Sequence, residues 1–412
     1  MLEDVIRDEG GRVVATLIRL TNDFDLAEDA MQEAALAALE HWARTGVPDN
    51  PGAWLTTVAR RKALDRIRRE STRLKRETAS TRLLDEPADP GSVSVHSPPD
   101  ELRLLFTCCH PALSKEAQIA LTLRTLCRLT TGEIARLFLV PEPTIGQRIS
   151  RAKKKIATAR IPYRVPEDHE LPERLTAVLS AIYLVFTTSH HATEGRLDAR
   201  IDLAADALRL ARLAARYLPD EPEVLGLLAL ILATYARRAT RLDGFGSVIL
   251  LADQDRSRWD HAAVAEAAGL VESILRRHRI GPFQLQAAIA VLHGLATTFA
   301  DTDWPQIAEL YGFLEQVQPT PVVRVNRAVA LSFSEGARAG LLLLDGFTAA
   351  QRAEVERWHL YWSARADFHR QLCEWEKAAT DYRRALDCAI NDSDRTFLRM
   401  RLHEMTVQTP MP

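Results

Sequence analysis

The sequence predicts an all-α protein, and three observations lead to that prediction. Nearly every long segment repeats apolar residues at the three- and four-residue spacing of a helix. No segment sustains the alternation of apolar and polar residues, bounded by hairpin turns, that is typical of strands. In the second half of the chain, prolines and glycines separate recurring segments of helical spacing. With 412 residues, the chain is long enough for two or three helical domains with their own cores.

Two breaks in composition divide the chain. The text "TASTRLLDEPADPGSVSVHSPP" is rich in Pro, Ser and Asp, which is typical of a flexible linker. The text "RIPYRVPEDHELP" places three prolines close together, and each disfavours helix at the residue before it. The predicted divisions are a first domain at 1–77, a linker at 78–99, a second domain at 100–160, a connector at 161–172 and a third helical domain at 173–412.

The formal net charge of −2 conceals an asymmetry between the two ends of the chain. The first 160 residues hold 25 Lys and Arg against 22 Asp and Glu, whereas the remaining 252 hold 28 against 33. Because the field of either part is weak, any binding to a polyanion has to come from local clusters of basic residues.

The five cysteines form no disulfide framework, which favours a reducing compartment. The run Cys108, Cys109 and His110 lacks the spacing of a zinc site, so we expect a buried apolar turn and no metal. The N-terminus lacks the pattern of a signal peptide, and no apolar run approaches the length of a membrane span. We therefore expect a cytoplasmic protein that has no cofactor and does not bind a membrane.

The text "DLAEDAMQEAALAALEHW" predicts a long helix in the first domain. Asp25 is its expected N-cap, with Glu28 three residues on as in a capping box. Asp29, Gln32, Glu33 and Leu36 share one polar face of this helix. A merely solvated surface is the alternative interpretation of that face.

A loop, "RTGVPDNPG", separates this helix from a basic one. Asn50 is the expected cap of the second helix and Pro51 its first residue. Nine Lys and Arg residues lie between Arg60 and Arg76, against only two acids. Such density favours a phosphate backbone as the partner, although a solvated face remains open.

The second domain has the pattern of a helix-turn-helix. Ser114 is the expected cap of its first helix. Thr130 and Thr131 are the candidate caps of a short second one, and Glu133 lies three residues after Thr130, as in a capping box. A third helix is predicted from Thr144 to Lys155. Its buried face should be Ile145, Ile149, Ala152 and Ile156, and its other faces are strongly basic. This is the geometry in which a recognition helix enters a DNA major groove.

Taken in order, these motifs resemble the extracytoplasmic-function (ECF) sigma factors of the sigma-70 superfamily. "DLAEDAMQEAALAALEHW" is similar to their region 2 helix, and "AWLTTVARRKALDRIRR" to the helix that follows it. "LTTGEIARLFLVPEPTIGQRISRAKKKI" is similar to region 4. The resemblance covers about the first 160 residues. It implies a transcription initiation factor without enzymatic activity, whose partners are core RNA polymerase and promoter DNA.

The resemblance also implies roles for individual residues. Region 2 of the family grips the clamp coiled coil of the polymerase β′ subunit, region 4 contacts the β flap, and the loop between the two region 2 helices holds a flipped base of the −10 element. The polymerase-binding residues would be Asp29, Gln32 and Glu33. The −10 set would be Asp49, Asn50, Arg60, Arg61, Lys62, Arg66, Arg68 and Arg69. The −35 set would be Thr144, Gln147, Arg148, Arg151, Lys153, Lys154 and Lys155.

Two departures from the family pattern leave the promoter sequence open. Arg61 stands where many ECF factors have Asn. Gly146 and Gln147 stand where Lys and Ser are common. The bases read by this chain therefore do not follow from the resemblance.

The sequence of the third domain predicts pairs of helices. "WHLYWSARADFHRQLCEWEKAATDYRRALDCA" is close to a tetratricopeptide unit, in which Phe368 packs from the first helix and Ala378, Tyr382 and Ala385 from the second. "PTPVVRVNRAVALSFSEGARAGLLLLDG" is a weaker second copy. A group of ECF factors with such an extension is similar in "LFTCCHPALS", "RIPYRVPE" and "DQDRSRWD". That resemblance implies a regulatory or supporting role.

The segment "LADQDRSRWD" allows three interpretations. Its charges could form a salt-bridged connector between helices, an interaction surface for a protein partner or an intramolecular contact, or a catalytic site. The surface would consist of Asp253, Asp255, Arg256, Arg258 and Trp259. No His or Gly-rich loop accompanies the carboxylates, which argues against catalysis.

The predicted function is a bacterial alternative sigma factor of the ECF type, with a helical extension that regulates or supports it. The alternative is a helix-turn-helix transcriptional regulator with a helical-repeat sensor domain. That alternative leaves the first domain unexplained.

Overall fold

The structure is a computed structural model that describes residues 2–77, 98–192, 203–243, 249–277, 279–390 and 392–408. Within these ranges the regular elements are helices, which confirms the all-α prediction. They pack into two compact units, Met1–Thr188 and Ser189–Pro412. Nearly all of the predicted linker, residues 78–97, lies outside the described residues. The predicted domain boundaries themselves stay predictions.

The first unit consists of eight described helices, of which the last runs past the boundary of the unit. They are α1 (Leu2–Thr21), α2 (Phe24–Thr45), α3 (Pro51–Glu77), α4 (Asp100–Cys108), α5 (Lys115–Thr125), α6 (Thr131–Phe138), α7 (Glu142–Thr158) and α8 (Leu171–Ala192). The first three pack on one another around fully buried side chains such as Leu17, Met31 and Leu55. Burial of these apolar side chains is the main source of stability for such a bundle.

Short polar side chains begin the two region 2 helices. The N-cap of α2 is Asp23, whose carboxylate accepts hydrogen bonds from the amides of Asp25 (2.8 Å) and Leu26 (3.0 Å). The predicted cap, Asp25, is therefore wrong by two residues, because the earlier aspartate reaches the free amides of the first turn. Asn50 caps α3 as predicted, since its Oδ1 accepts from the Ala53 amide at 3.0 Å.

The helix-turn-helix forms with the predicted local signals. Thr130 and Glu133 form a capping box at the start of α6, and Leu139, at φ 53°, ends that helix in the left-handed region. The next helix, α7, begins at Glu142, two residues before the predicted start, with Pro143 in its first turn. Its buried face is confirmed, and consists of Ile145, Ile149, Ala152 and Ile156.

Several polar contacts join the first three helices to the helix-turn-helix within the first unit. The Tyr163 hydroxyl lies 2.8 Å from the Ala15 carbonyl and 2.9 Å from the Asp100 carbonyl. Arg19 forms an ion pair with Asp100 at 2.9 Å. A Cβ at Gly11 would come within 2.8 Å of the Leu126 carbonyl, so glycine permits this close approach. The two predicted DNA-binding domains thus share one compact unit.

The second unit is a succession of packed helices. They are α9 (Leu203–Tyr217), α10 (Pro222–Tyr235), α11 (His261–Leu275), α12 (Pro282–Leu295), α13 (Trp304–Val317), α14 (Pro321–Ser334), α15 (Ala337–Asp345), α16 (Ala349–Val355), α17 (His359–Gln371), α18 (Trp375–Cys388) and α19 (Asp392–Gln408). Short 3₁₀ turns lie at Arg238–Thr240 and Arg256–Arg258. The predicted helix pair forms as α17 and α18, with Phe368, Ala378, Tyr382 and Ala385 in one buried cluster.

Candidate functional site

The predicted polymerase-binding and −10 residues adjoin along the seam between α2 and α3. Asp29 forms an ion pair with Arg66 at 2.7 Å, and Glu33 lies 3.5 Å from Lys62. All four side chains are nearly half exposed, so each pair contributes little stability. Because residues four apart share a helix face, the two predicted sites form adjacent rows of charge.

The outward face of α2 carries apolar residues beside its polar ones. Gln32 and Glu33 are exposed, and Leu36 and Leu39 are 62% and 56% exposed on the turns that follow. Leu39 was missing from the sequence prediction, although its spacing from Gln32 and Leu36 places it on the same face. The face therefore offers both polar contacts and an apolar contact to a partner.

The loop and the basic helix present their predicted residues in different ways. Asp49 is exposed, whereas the Oδ1 of Asn50 already holds the α3 cap. Only Arg60 among the basic residues of the −10 set is half-buried. The exposed ones are Arg61, Lys62, Arg66, Arg68 and Arg69. An aromatic stack of His41 on Trp54, with 5.7 Å between ring centroids, lies at the loop end of the α2–α3 seam.

Most of the predicted −35 residues lie on the outside of α7. Those that are exposed are Thr144, Gln147, Arg151, Lys154 and Lys155. Lys155 also donates to the Ala112 carbonyl. Arg148 is half-buried, with its guanidinium 5.4 Å from the centre of the Phe138 ring. Its Nη1 is buried and has no hydrogen-bond partner among the described residues.

Lys153 differs from its neighbours on α7, because it points at α2. Its Nζ lies 2.8 Å from Asp25 Oδ1 and 3.0 Å from Glu28 Oε1, and its side chain is only 12% exposed. The other oxygen of Glu28 lies 3.5 Å from Arg124. Lys153 can reach promoter phosphate only if it leaves this buried cluster.

Sequence reasoning missed the Glu28 cluster, although part of the signal was present. Glu28 lies among the buried residues Ala27, Ala30 and Met31 of α2. A carboxylate on a buried face needs a charged or hydrogen-bonding partner. The identity of that partner depends on how α7 packs on α2, which is not encoded in any local pattern.

The side chains of the "DQDRSRWD" segment form hydrogen bonds within the segment and to neighbouring parts of the second unit. Asp255 accepts from the Ser257 amide and hydroxyl, hydrogen bonds that lower the pKa of its carboxyl. Arg256 donates to the carbonyls of His293 and Ala296, both at 2.8 Å. Trp259 donates from Nε1 to Thr240 Oγ1 at 2.8 Å.

Only part of the predicted interaction surface in this segment is exposed. Arg256 and Trp259 are buried, with 8% and 4% exposure. Asp253, Asp255 and Arg258 are exposed. Any surface formed by this motif therefore rests on those three residues, and its role stays a prediction.

The adjacent cysteines form the buried turn that the sequence predicted. Cys108 and Cys109 are fully buried, with their sulfurs near the hydroxyls of Thr125 and Thr122. Burial raises the pKa of both thiols, that of Cys109 to about 12. Over the part of the chain that the structure describes, no group of three His, Cys, Asp or Glu side chains could hold a metal ion. No helix in that part is long and apolar enough to cross a membrane.

Comparison with known proteins gives the same order of domains. The sigma-70 region 2 family matches residues 5–73, and the sigma-70 region 4 family matches residues 103–156. The ECF RNA polymerase sigma factor SigL of Mycobacterium tuberculosis is 31% identical over 145 residues, which cover 34% of this chain and 77% of SigL. The chain belongs to the ECF sigma factors. Proteins of this family bind core RNA polymerase and promoter DNA.

Two more relatives, and a family match in the extension, add to the comparison of this ECF sigma factor. SigJ of M. tuberculosis is 30% identical over 185 residues, covering 41% of this chain and 55% of SigJ. The uncharacterized protein R00370 of Rhizobium meliloti is 40% identical over 405 residues, or 96% of this chain and 94% of that protein. A family of unknown function, DUF6596, matches residues 174–275 of the extension. No solved structure matches the chain significantly.

Proposed function

We propose that this sigma factor binds the clamp coiled coil of the polymerase β′ subunit through the outward face of α2. Asp29, Gln32 and Glu33 supply the polar contacts, and Leu36 and Leu39 supply the apolar one. The support is that all five lie on the outward side of α2 and are at least partly exposed. A small apolar centre with polar residues around it is the usual composition of a specific interface.

The −10 element is read by the loop after α2 and by the basic face of α3. An unpaired base presents its whole edge to a protein, so a loop pocket can recognise it more fully than a groove can. Asp49 and the side-chain amide nitrogen of Asn50 are the hydrogen-bonding groups of that loop. Arg61, Arg68 and Arg69 hold the phosphates beside it, because guanidinium groups bind phosphate oxygens well.

The −35 element is read by α7, which we propose also brings region 4 to the β flap. Gln147 and Arg151 are the proposed base-reading residues on its exposed face, and Lys154 and Lys155 bind phosphate. Arg148 joins them after it leaves the Phe138 ring. The two promoter elements lie about 25 base pairs apart, or about 85 Å of DNA at roughly 3.4 Å per base pair.

That separation requires the first unit to open. In the structure Lys153 of α7 lies within 3.0 Å of α2, so α3 and α7 cannot reach both elements at once. We propose that binding to polymerase supplies the energy that separates them, since a ligand favours whichever state it binds more tightly. The extension at 173–412 supports or regulates this step, and the protein acts in the cytoplasm with no catalysis of its own.

The observation that carries the proposal is the ordered pair of region 2 and region 4 matches, with exposed candidate faces on α2, α3 and α7. A helix-turn-helix regulator with a sensor domain would need only region 4 and the extension. It leaves the match at residues 5–73 without a role. The sigma factor is therefore favoured over that alternative.

A reconstituted run-off assay tests the function. Core polymerase and the full-length protein should start transcription from promoters selected out of a genomic fragment pool, whereas the protein alone should bind the same DNA weakly.

Arg151→Ala and Lys154→Ala should each reduce initiation about tenfold, the effect of losing about 1.4 kcal/mol of DNA contact. Lys115→Ala removes an exposed charge of region 4 outside α7 and should leave initiation unchanged. Tight sequence-specific binding without polymerase, together with no transcription, would overturn the proposal.

A further inference from the structure

Two arginines of the second unit lie against the ring of Trp259. The guanidinium carbon of Arg237 is 5.8 Å from the ring centre, and that of Arg256 is 4.7 Å from it. Trp259 itself is held by its hydrogen bond to Thr240. The two 3₁₀ turns therefore bring two positive charges to one buried aromatic side chain.

The two arginines differ in how their donors are used. Arg256 is bonded to the last carbonyls of α12, as described above, which is a favourable place for a cation. Among the described residues, no carboxylate forms an ion pair or hydrogen bond with Arg237. Burial lowers the pKa of the Arg237 guanidinium to about 10, and the charges of Arg241 and Arg256 act in the same direction.

His293, at the end of α12, belongs to the same cluster. Its Nδ1 is buried and has no hydrogen-bond partner among the described residues. Burial lowers the pKa of its imidazole to about 4, and the nearby Arg237 and Arg256 contribute to that shift. The imidazole is therefore neutral at pH 7, because a third positive charge would be repelled there.

The acid Asp301 acts on this cluster through Arg256. The charge of Asp301 favours the charged form of Arg256. However, its Oδ2 accepts from the Thr298 amide at 3.0 Å and from the Thr298 hydroxyl at 2.8 Å. The guanidinium of Arg237 therefore lies beside the Trp259 ring, and no carboxylate of the described residues pairs with it. Arg237 is half-buried, so its guanidinium has lost part of its hydration, and a bound anion would offset that cost.

We propose that Arg237, with Trp259 and Arg256 behind it, binds the carboxylate or phosphate group of a small anionic ligand. The planar guanidinium matches two oxygens of either group. A small ligand is favoured over a polyanion because a single half-buried guanidinium can hold one anionic group. This site lies in the extension and is independent of the polymerase and promoter contacts proposed above.

Thermal unfolding of the full-length protein at pH 7 tests the site. Sodium phosphate and sodium acetate are compared with sodium chloride at equal ionic strength. One of the two anions should raise the midpoint of the second unit by about 2 °C beyond chloride, as expected for a ligand that binds only the folded state. A rise with phosphate alone identifies a phosphate ligand, and a rise with acetate alone a carboxylate.

Arg237→Met should abolish that rise, and its midpoint without added anion should not fall below that of the parent protein. Arg237→Lys keeps the charge but loses the fork, so it should at least halve the rise. Arg276→Met is the matched control, since Arg276 is an exposed arginine of the same unit, and it should respond like the parent. No rise with either anion, or an equal rise in the Arg237 variants, would overturn the proposal.

Discussion

Two glutamates of α2 illustrate how burial decides how much an ion pair contributes to stability. Glu28 is 7% exposed and lies between Lys153 and Arg124. Glu33 is about half exposed and pairs with Lys62 alone. Water screens the second pair, whereas the first has lost its hydration and depends on its partners. The same residue type on one helix should therefore have very different energetic roles.

We expect Glu28→Gln to lower the free energy of unfolding of the first unit by about 3 kcal/mol, because Arg124 loses its anion and Lys153 keeps only the exposed Asp25. Glu33→Gln should lower it by about 0.5 kcal/mol at most. Urea unfolding of the full-length variants measures both values. Equal effects of the two substitutions would contradict a buried cluster that holds α7 on α2.

The buried His293 leads to a prediction about how the stability of the second unit depends on pH. Burial lowers the pKa of His293 in the folded chain to about 4, whereas an exposed imidazole has a pKa of about 6.5. Between these two values the unfolded chain binds a proton that the folded chain does not. Stability is therefore complete above pH 6.5 and falls as the pH is lowered. From pH 6.5 to 5 the loss should be about 1.6 kcal/mol, which thermal unfolding of the second unit can follow. His293→Gln should flatten this dependence. His261→Gln, at an exposed position, should keep it.

The helices themselves could largely be predicted from sequence, because their signals are local. The capping box of α6, the prolines before α7 and the four-residue spacing of its buried isoleucines each lie within one element. The predicted exposure of most of the basic residues on α7 followed from the same spacing. By contrast, Asp23 and Asp25 are both reasonable caps for α2, and only the hydrogen bonds distinguish them.

Contacts between elements distant in sequence could not be predicted. Lys153 and Asp25 are 128 residues apart, and no periodicity relates them. Tyr163 lay in a segment that the prolines identified only as a boundary, yet its hydroxyl reaches carbonyls of both α1 and α4. The same applies to Arg237, whose relation to Trp259 depends on two turns meeting in space.

The α2–α3 seam gives a prediction at the scale of the element. The double variant Glu33→Lys with Lys62→Glu keeps an opposite-charge pair at the same place, so stability should change by less than about 0.5 kcal/mol. Initiation should nevertheless fall at least tenfold, because each charge then faces the wrong partner on polymerase or DNA. Run-off transcription and urea unfolding measure the two effects. Full activity in the double variant would assign both residues a structural role only.

At the scale of the whole molecule, the first unit extends beyond the helix-turn-helix. Arg174 of α8 is 8% exposed and donates to the Phe106 carbonyl at 2.8 Å. Tyr163 precedes it and contacts α1 and α4. A chain cut at Tyr163 would therefore lose contacts of the first unit itself, in addition to the extension. The effect of the extension has to be tested on a chain that retains α8.

Two truncations should separate these contributions. A chain of residues 1–192 keeps Tyr163 and all of α8, so its first unit should unfold at nearly the midpoint of the full-length protein. A chain of residues 1–163 loses the Arg174 hydrogen bond and the buried apolar residues of α8. Its midpoint should fall by at least about 2 °C, because at least about 1 kcal/mol is lost. Run-off transcription then isolates the extension: lower activity of 1–192 than of the full-length protein supports a positive role, since the first unit is intact in both. Activity of 1–192 equal to that of the full-length protein would exclude such a role, and higher activity would indicate autoinhibition by the second unit.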